Sequence, residues 1–489
     1  MKSGRQVRVL MLGWEYPPRF AGGLGKACRG LSLAMARQGA QIYFILPTFP
    51  DKISEPRLEV VGAREYLVEA GWTDEMVKSV ERGYETAKSA EGISYYQTAA
   101  QMFPYGAHPD GPVPDGIARF FTESKSEDNS EKTAERDDRS QILKKADIKN
   151  LRDRIHSTHA PQAEQVSSEI YGKNMWSEIE RYCFAVRQLS ESHEVDVLHA
   201  HDWMTFPAAF EFQRVTGVPV FLHVHATEHD RSGEDVNNEI FRIEREGFRR
   251  ATHIFAVSKY TAGIIERLYG VNKRKISVVY NAPDDDAKHF SADVDLDGPR
   301  EPNVIFLGRL TFQKGPDHFL KAAALVAQVE PHAKFIFCGT GDMFEKLRAQ
   351  AHKLGIENRV HFAGFLDPAG VDQMLQKSKV LVMPSVSEPF GLVALEAIHC
   401  GIPVILSKQS GVREVLHRAL QVDFWDHDKL ADHILAALRL PDLSKQLVTD
   451  GMEQVQELSW DRSARRVVDS YKNFLGSTIA QNLEGAHGR

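Results

Sequence analysis

Short apolar runs rich in β-branched residues alternate with longer helical patterns along most of this chain, and this alternation restricts the possible fold more than any other feature. In the first half of the chain the runs lie at 7–12, 42–47, 195–201, 218–226 and 253–258. Apolar runs of this kind are typical of strands buried on both faces, and intervening helices of ten or more residues make such strands parallel. The pattern therefore predicts an α/β fold built on a doubly wound parallel sheet.

The same pattern starts again after a polar stretch at 281–303, whose run Asp284, Asp285 and Asp286 cannot belong to a core. A chain of 489 residues also exceeds what one hydrophobic core usually organises. We therefore expect two Rossmann-like domains facing across a cleft, at residues 1–285 and 300–458. Residues 459–489 are predicted to form a helix that crosses back to the first domain, because apolar residues recur from Val467 to Leu475 at helical spacing.

A long interval, about residues 51–173, is not needed by the first sheet and is predicted to be an insertion. Its middle part, residues 123–150, is dense in charges of both signs and nearly lacks aromatic residues, which is typical of a solvated segment rather than a core. A solvated insertion and a lid over an acceptor site are both compatible with this composition.

Charge and cysteine usage exclude several classes of function. The formal net charge is -7, which gives no overall attraction to nucleic acid or to an anionic membrane surface. The four cysteines are scattered, as expected for the reducing cytoplasm rather than for a disulfide framework or a metal-binding cluster. The apolar run at 7–12 is too short for a signal-peptide core or a membrane span, so we expect neither targeting nor integral membrane association.

A glycine-rich turn, Gly22-Gly23-Leu24-Gly25, follows the first strand and precedes a helical pattern. Backbone amides at such a turn can approach a phosphate closely, and the start of a helix favours negative charge. A dinucleotide-binding fingerprint does not fit, because Cys28 occupies the third glycine position and no acidic residue ends the second strand. Phosphate binding and a merely tight turn remain the two interpretations.

Two pairs of histidines end neighbouring strands: His199 and His201 in the first, His223 and His225 in the second. Alternate spacing places each pair on one face, at the carboxyl edge where α/β sheets bind ligands. With Asp202 nearby, a metal site is one interpretation and buried structural histidines are another. We expect no metal, because cationic side chains elsewhere can neutralise a phosphate.

Those cationic side chains are Arg309 and Lys314, which follow the first strand of the second half. Together they can neutralise a diphosphate leaving group without a metal ion. Two carboxylates, Glu388 and Glu396, follow the fourth strand of that half in the run Glu388-Pro389-Phe390-Gly391-Leu392 to Glu396. Eight positions separate them, so Glu388 is predicted on a loop and Glu396 about two turns into a helix.

Four motifs in this order resemble the retaining GT-B glycosyltransferases of families 4 and 5: GGLG, HAHDW, GRLTFQKG and EPFGLVALEA. The N-terminal run WEYPPRFAGGLGKACRGLS is most similar to bacterial glycogen synthases and their near relatives. The resemblance covers nearly the whole chain except the insertion, and it implies a GT-B fold. It also implies a nucleotide-sugar donor and no further cofactor.

The resemblance implies a role for each motif residue. His201 would contact the donor sugar, Arg309 and Lys314 would stabilise the departing nucleotide diphosphate, and Glu388 would hold donor-sugar hydroxyls. The remaining residues would bind the nucleotide part of the donor. Gly22, Gly23, Gly391 and Leu392 would present amides to phosphate, Glu396 would hold the ribose, and Gly339 and Gly341 would line the base pocket.

Two departures from family 5 leave the acceptor and the donor nucleotide open. Phe20 and Ala21 stand where starch and glycogen synthases usually carry a lysine, and Phe390 stands where bacterial members often have cysteine. We expect transfer of glucose from ADP-glucose or UDP-glucose to an α-1,4-glucan. The alternatives are a family 4 enzyme acting on another saccharide or a lipid-linked acceptor, a sugar-nucleotide epimerase, and a nucleotide-sugar binding module.

Overall fold

The structure is a computed structural model that describes residues 6–18, 22–47, 49, 52–63, 175–190, 194–283 and 300–487 of the chain, with side chains as far as residue 477. Within these residues the chain forms two sheets, each covered by helices on both faces. No described helix combines the length and apolar character that crossing a membrane requires.

The first sheet has eight strands in the order β3-β4-β2-β1-β5-β6-β7-β8, and every neighbouring pair is parallel except β3 with β4. Its strands are β1 (Arg8–Leu12), β2 (Gln41–Leu46), β3 (Ile53–Glu55), β4 (Leu58–Gly62), β5 (Val197–His201), β6 (Val220–Val224), β7 (His253–Ala256) and β8 (Ile276–Val278). Strands β1 and β5 are fully or almost fully buried, as their continuous apolar sequences predict.

The second sheet has six parallel strands in the order β11-β10-β9-β12-β13-β14. They are β9 (Asn303–Leu307), β10 (Lys334–Cys338), β11 (Val360–Gly364), β12 (Val380–Met383), β13 (Val404–Ser407) and β14 (Leu420–Val422). This order is that of a doubly wound Rossmann sheet, which confirms the predicted fold class.

Thirteen α-helices occur in the described part of the chain. Those before the second sheet are α1 (Gly23–Arg37), α2 (Met175–Leu189), α3 (Phe206–Thr216), α4 (Glu228–Ser232), α5 (Asn238–Arg250) and α6 (Lys259–Tyr269). The others are α7 (Pro316–Val329), α8 (Phe344–Lys353), α9 (Pro368–Lys377), α10 (Leu392–His399), α11 (His427–Arg439), α12 (Pro441–Val455) and α13 (Trp460–His487).

The strand order reverses once in each sheet, between β1 and β5 and between β9 and β12. In open parallel sheets, ligands bind in the crevice that such a reversal leaves outside the carboxyl ends of the strands. Each of the four motifs lies at the end of one of these four strands or follows it, so the fold places them at its two predicted binding crevices.

The last helix, α13, lies against the first domain. Trp460, Ala464, Val467 and Tyr471 are buried in the same core as residues of β1 and α1. The Arg37 guanidinium of α1 also bonds the Asp461 carboxylate at 2.9 Å. The chain therefore returns to its first domain after completing the second.

The insertion predicted at residues 51–173 begins later than the sequence analysis placed it, because residues 53–62 form β3 and β4 of the sheet. These strands are short and partly polar, so they lack the continuous apolar pattern that identified the central strands. Residues 64–174, which contain the charged segment, lie outside the described residues.

Candidate active site

Helices and a loop beside the two crevices meet across the interface between the domains. The Lys26 ammonium of α1 lies 2.5 Å from a carboxylate oxygen of Glu396 in α10. The Ser387 hydroxyl, next to Glu388, donates to the Asp230 carboxylate of α4 at 2.5 Å. The predicted site residue Glu396 and the loop that carries Glu388 therefore lie at the interface with the first domain.

The glycine turn of the first domain packs on a buried carboxyl group, Glu15. The N–H of Gly25 donates to this carboxyl group. Its other oxygen, Oε2, has no hydrogen-bond partner among the described residues. A Cβ atom on Gly22 would lie only 2.9 Å from that oxygen, so Gly22 is needed for this close approach. The turn thus presents its amides beside a carboxyl group that the sequence analysis did not identify.

Burial raises the pKa of Glu15 to about 8, while the Gly25 amide and the positive charge of Arg309 act in the opposite direction. The side chain is therefore uncharged at neutral pH. A neutral Glu15 repels an anionic ligand at the glycine turn far less than a carboxylate would.

The four histidines at the ends of β5 and β6 form a stack of imidazole rings. His199 Nε2 lies 3.2 Å from His223 Nδ1, and His201 Nδ1 lies 3.0 Å from His225 Nε2. The rings of His199 and His201 are 4.6 Å apart at their centroids and nearly parallel. Burial lowers the pKa of all four rings, so they are neutral at physiological pH.

Groups around the stack hold its ends in place. The Tyr471 hydroxyl of α13 contacts His199 Nδ1, which connects the last helix to the histidines. Asp202, with a φ of 58°, accepts a hydrogen bond from the His225 amide at 2.7 Å. The stack is therefore bonded to α13 through His199 and to Asp202 through the backbone of His225.

Two groups of these side chains have donor atoms close enough together for a metal ion. Cys28 lies with His201 and His225, and His199 lies with His201 and His223; within each group the atoms are within 4.8 Å of one another. Neutral imidazoles are suitable ligands. The close donor atoms support a metal site, whereas the hydrogen bonds between the ring nitrogens support a structural stack. Both interpretations therefore remain open.

In the second domain, Lys314 and Glu388 form a direct ion pair. The Lys314 ammonium lies 2.7 Å from Glu388 Oε2, and the Ser385 hydroxyl donates to the same oxygen at 3.2 Å. Arg309 Nη2 lies 3.4 Å from Gln313 Oε1 on the same loop. The two cations and the carboxylate that the sequence analysis singled out are thus grouped where the carboxyl ends of β9 and β12 meet.

Gly339 and Gly341 lie directly beneath the Arg309 loop. A Cβ on Gly339 would be 2.0 Å from the Gly308 carbonyl oxygen, and one on Gly341 would be 2.3 Å from the Leu310 carbonyl oxygen. Side chains at these positions would therefore displace the loop that carries Arg309. This packing gives both glycines a structural reason that is independent of base binding.

Helix α10 begins at Leu392, and Gly391 precedes it with a φ of 108°. No described side chain caps this helix start. Glu396 lies in the second turn, one turn nearer the helix start than the sequence spacing predicted. The ribose role of Glu396 and the phosphate role of Gly391 and Leu392 stay predictions.

Sequence reasoning did not identify the residues that join the domains, including Lys26, Asp230, Ser258 and Glu414. Asp230 carried a local signal, because Thr227 and Asp230 form a capping box at the start of α4. That signal predicts a helix start but not a contact with the second domain.

Three family models match the chain in succession. The starch synthase catalytic domain matches residues 8–126, Glycosyltransferase Family 4 matches residues 156–287, and Glycosyl transferases group 1 matches residues 293–454. The boundary between the last two matches falls in the segment that joins the two sheets.

Curated proteins are similar to the chain in sequence, and a solved structure is similar to it in fold. An uncharacterized glycosyltransferase of Methanocaldococcus jannaschii is 28% identical over 298 residues, which cover 57% of this chain and 75% of that protein. Glycogen synthase of Mycobacterium tuberculosis is 30% identical over 225 residues, covering 45% of this chain and only 54% of that protein. Sucrose-phosphate synthase from Thermosynechococcus elongatus has a similar fold, with a TM-score of 0.62 at 17% identity over 97% of this chain and 100% of that chain.

Proposed function

Because the chain is a GT-B glycosyltransferase of the family 4 and 5 type, we propose that it transfers glucose from ADP-glucose or UDP-glucose to an α-1,4-glucan with retention of configuration. The observation that carries this proposal is the grouping of Arg309, Lys314 and Glu388 at the crevice of the second domain. The two cations suit the diphosphate of a nucleotide sugar, and the carboxylate suits the hydroxyls of its sugar.

In this mechanism the cations stabilise the leaving group. Cleavage of the bond between sugar and phosphate builds negative charge on the diphosphate oxygens. Fixed cations in a cleft interact more strongly with that charge than with the ground state. Arg309 and Lys314 would therefore lower the barrier without a metal ion.

Glu388 would orient the donor sugar rather than attack it. Its Oε2 atom is held by Lys314 and Ser385, which leaves the other oxygen to accept bonds from sugar hydroxyls. The acceptor would then attack from the face that the nucleotide leaves. This route gives retention without a glycosyl-enzyme intermediate.

The acceptor rests on narrower support. The match of the starch synthase catalytic domain to residues 8–126 and the similarity to a glycogen synthase favour a glucan. The match of Glycosyltransferase Family 4 to residues 156–287 of the same domain favours a second candidate, a family 4 enzyme that acts on another saccharide or on a lipid-linked acceptor. The chain spans about half the length of that glycogen synthase, so its substrates are not carried over directly.

We propose the cytoplasm as the location of this protein, since all four cysteines are buried free thiols.

A screen of donors and acceptors tests the proposal. The protein is incubated with ADP-glucose or UDP-glucose, with and without glycogen or small saccharides, and nucleotide release and product are measured with and without EDTA. Glucan extension that EDTA does not affect is expected. Product from a small saccharide alone would support the second candidate. Epimerised donor, or no nucleotide release with any donor, would contradict the proposal. Activity that is lost with EDTA and restored by zinc would support the metal site at the histidines.

A further inference from the structure

The loop that carries Glu388 is bonded to the first domain on both sides of that residue. On one side, the Ser387 hydroxyl donates to Asp230 at 2.5 Å and lies 2.9 Å from the Tyr260 hydroxyl. On the other side, the Pro389 carbonyl oxygen accepts from the Ser258 hydroxyl at 2.6 Å. Glu388 is therefore placed between two anchors that belong to the opposite domain.

The first-domain groups are themselves fixed by buried interactions. Asp230 accepts from the amide of Thr227 at 2.7 Å, which closes the start of α4. In the same helix Arg231 forms ion pairs with Glu228 at 3.0 Å and Glu244 at 2.6 Å, and all three side chains are buried. Buried networks whose members are all bonded are rigid. The anchors thus offer the donor loop a fixed point of attachment.

A carboxylate of the second domain completes the arrangement at the start of α6. Glu414 accepts from the amides of Lys259 and Tyr260 at 2.9 and 2.7 Å, and from the Tyr280 hydroxyl at 2.9 Å. A carboxylate at a helix N-terminus is favourable because it satisfies free amides and the helix dipole. The first turn of α6 is therefore held between the Pro389 carbonyl and Glu414.

We propose that Asp230, Ser258 and Tyr260 are positioning residues for the donor-sugar site, which they complete from the opposite domain by fixing the loop around Glu388. This inference rests on the proposed function, since it takes Glu388 to hold the donor sugar. Separation of the domains would release Ser387 and Pro389 together, so the sugar site is complete only while these anchors hold. The Lys314 and Ser385 contacts of Glu388 lie within the second domain and remain in either state.

Loss of an anchor should affect binding of the sugar and binding of the nucleotide differently. Glu388 serves the sugar, whereas Glu396 and the glycine loops are the predicted nucleotide contacts. Loss of an anchor should therefore weaken a nucleotide-glucose more than the corresponding nucleotide diphosphate. A general loosening of the domain interface would weaken both ligands alike.

Calorimetric titration of the full chain with ADP, ADP-glucose, UDP and UDP-glucose tests this difference. Tyr260→Phe removes one neutral hydrogen bond, the one to Ser387, whereas Ser258→Ala removes the bond to Pro389 together with the bonds to Thr261 at the start of α6. We expect roughly fivefold weaker binding of the nucleotide-glucose by Tyr260→Phe and at least as large an effect for Ser258→Ala. Binding of the nucleotide diphosphate should stay unchanged. Thermal unfolding of each variant confirms that it is folded, and Tyr260→Phe serves if the buried Ser258→Ala does not fold.

Ser444→Ala is the matched control. Its hydroxyl donates to the Ala437 carbonyl at 2.8 Å, which is a comparable bond between α12 and α11 that involves neither the donor loop nor its anchors. This variant should leave the affinity for both ligands unchanged. Equal weakening of both ligands by the anchor variants, or no weakening, would overturn the inference while leaving the function intact. A wild-type protein that binds no nucleotide-glucose would overturn the proposed function and the inference together.

Discussion

Arg309 and Lys314 differ in how they are held, although both follow β9. Lys314 is paired with the Glu388 carboxylate at 2.7 Å, whereas the Arg309 guanidinium lies 3.4 Å from the Gln313 side-chain oxygen on its own loop. Both cations would stabilise the additional negative charge that develops on the diphosphate oxygens as the sugar leaves. Arg309→Ala and Lys314→Ala should each lower kcat roughly a hundredfold, since loss of one such group typically removes about 3 kcal/mol of stabilisation. Steady-state kinetics with the preferred donor measures the effect.

The donor KM should change less than kcat, because the interaction is mainly with the transition state. Lys334→Ala is the control for loss of a positive charge, since Lys334 is an exposed residue that pairs with Glu301 on the surface. It should leave kcat unchanged. A large rise in donor KM with an unchanged kcat would contradict the assigned role and indicate ground-state binding instead.

Glu15 should make stability depend on pH. Its pKa is raised from 4.5 to about 8, chiefly by burial, so the folded state keeps a proton that the unfolded state releases between these values. The stability contribution is present below about pH 4.5 and is lost as the pH rises towards 8. Glu15→Gln cannot ionise at this position. Between pH 5.5 and 8 its free energy of unfolding should therefore fall less than that of the wild type, and the difference should be on the order of 3 kcal/mol.

Urea unfolding at the two pH values measures this difference. Glu55→Gln, at an exposed carboxyl group of β3, is the control and should keep the wild-type pH dependence. Parallel pH profiles for the wild type and Glu15→Gln would show that Glu15 is charged in the folded protein.

At the residue level, the sequence identified side chains by motif but not by their contacts. The pairing of Lys314 with Glu388 joins residues separated by 74 positions, and no local pattern encodes it. Glu15 was missed for a similar reason. Its burial depends on Gly22 packing against it, and a carboxyl group before a turn usually indicates a solvated loop.

At the level of elements, long and continuously apolar strands were predictable and short edge strands were not. Strands β1, β5 and β9 lie where the sequence placed them, because burial on both faces selects mainly apolar residues along the strand. Strands β3 and β14 have three residues each at the sheet edges. Half-exposed positions there accept polar residues, so the hydrophobic pattern disappears.

Helices α1 and α13 provide a direct test of packing, because Gly30 of α1 faces the indole ring of Trp460. A Cβ at Gly30 would lie 2.3 Å from this ring, and Trp460 is buried. Alanine is otherwise better than glycine inside a helix by about 1 kcal/mol. The steric clash should outweigh that gain, so Gly30→Ala should lower the free energy of unfolding by about 1–3 kcal/mol.

Urea unfolding again provides the measurement, with Gly23→Ala as the control in the same helix. Gly23 has no described atom within 4 Å of the added Cβ, so its replacement should change stability by less than about 1 kcal/mol. A stabilised Gly30→Ala variant would mean that α13 does not pack on α1 in solution.

At the level of the whole molecule, repetition of the strand pattern predicted two similar sheets, and each strand order provides the crevice that a doubly wound sheet requires. The contacts between the domains could not be predicted. Lys26 and Glu396 are 370 positions apart, and although Glu396 belongs to a motif, nothing in either segment indicates that the two residues meet. Only the closed arrangement of the two domains brings them together.

Charge reversal at Lys26 should open the cleft. The pair with Glu396 is about one-third exposed on both sides, so it stabilises closure by no more than about 1 kcal/mol. Lys26→Glu replaces this attraction with repulsion between carboxylates, and we expect a larger radius of gyration by small-angle X-ray scattering at low ionic strength, together with a higher donor KM.

Salt distinguishes repulsion from a change in packing. At about 1 M salt the Debye length falls to about 3 Å, so the repulsion should be screened and the radius of Lys26→Glu should return towards the wild-type value. Lys26→Gln removes the attraction without adding repulsion, and its radius should lie between the other two at low ionic strength. Identical radii for all three proteins at low ionic strength would show that the closed cleft does not depend on this pair. The buried contacts of Ser258 and Asp230 would then be sufficient to hold the domains together.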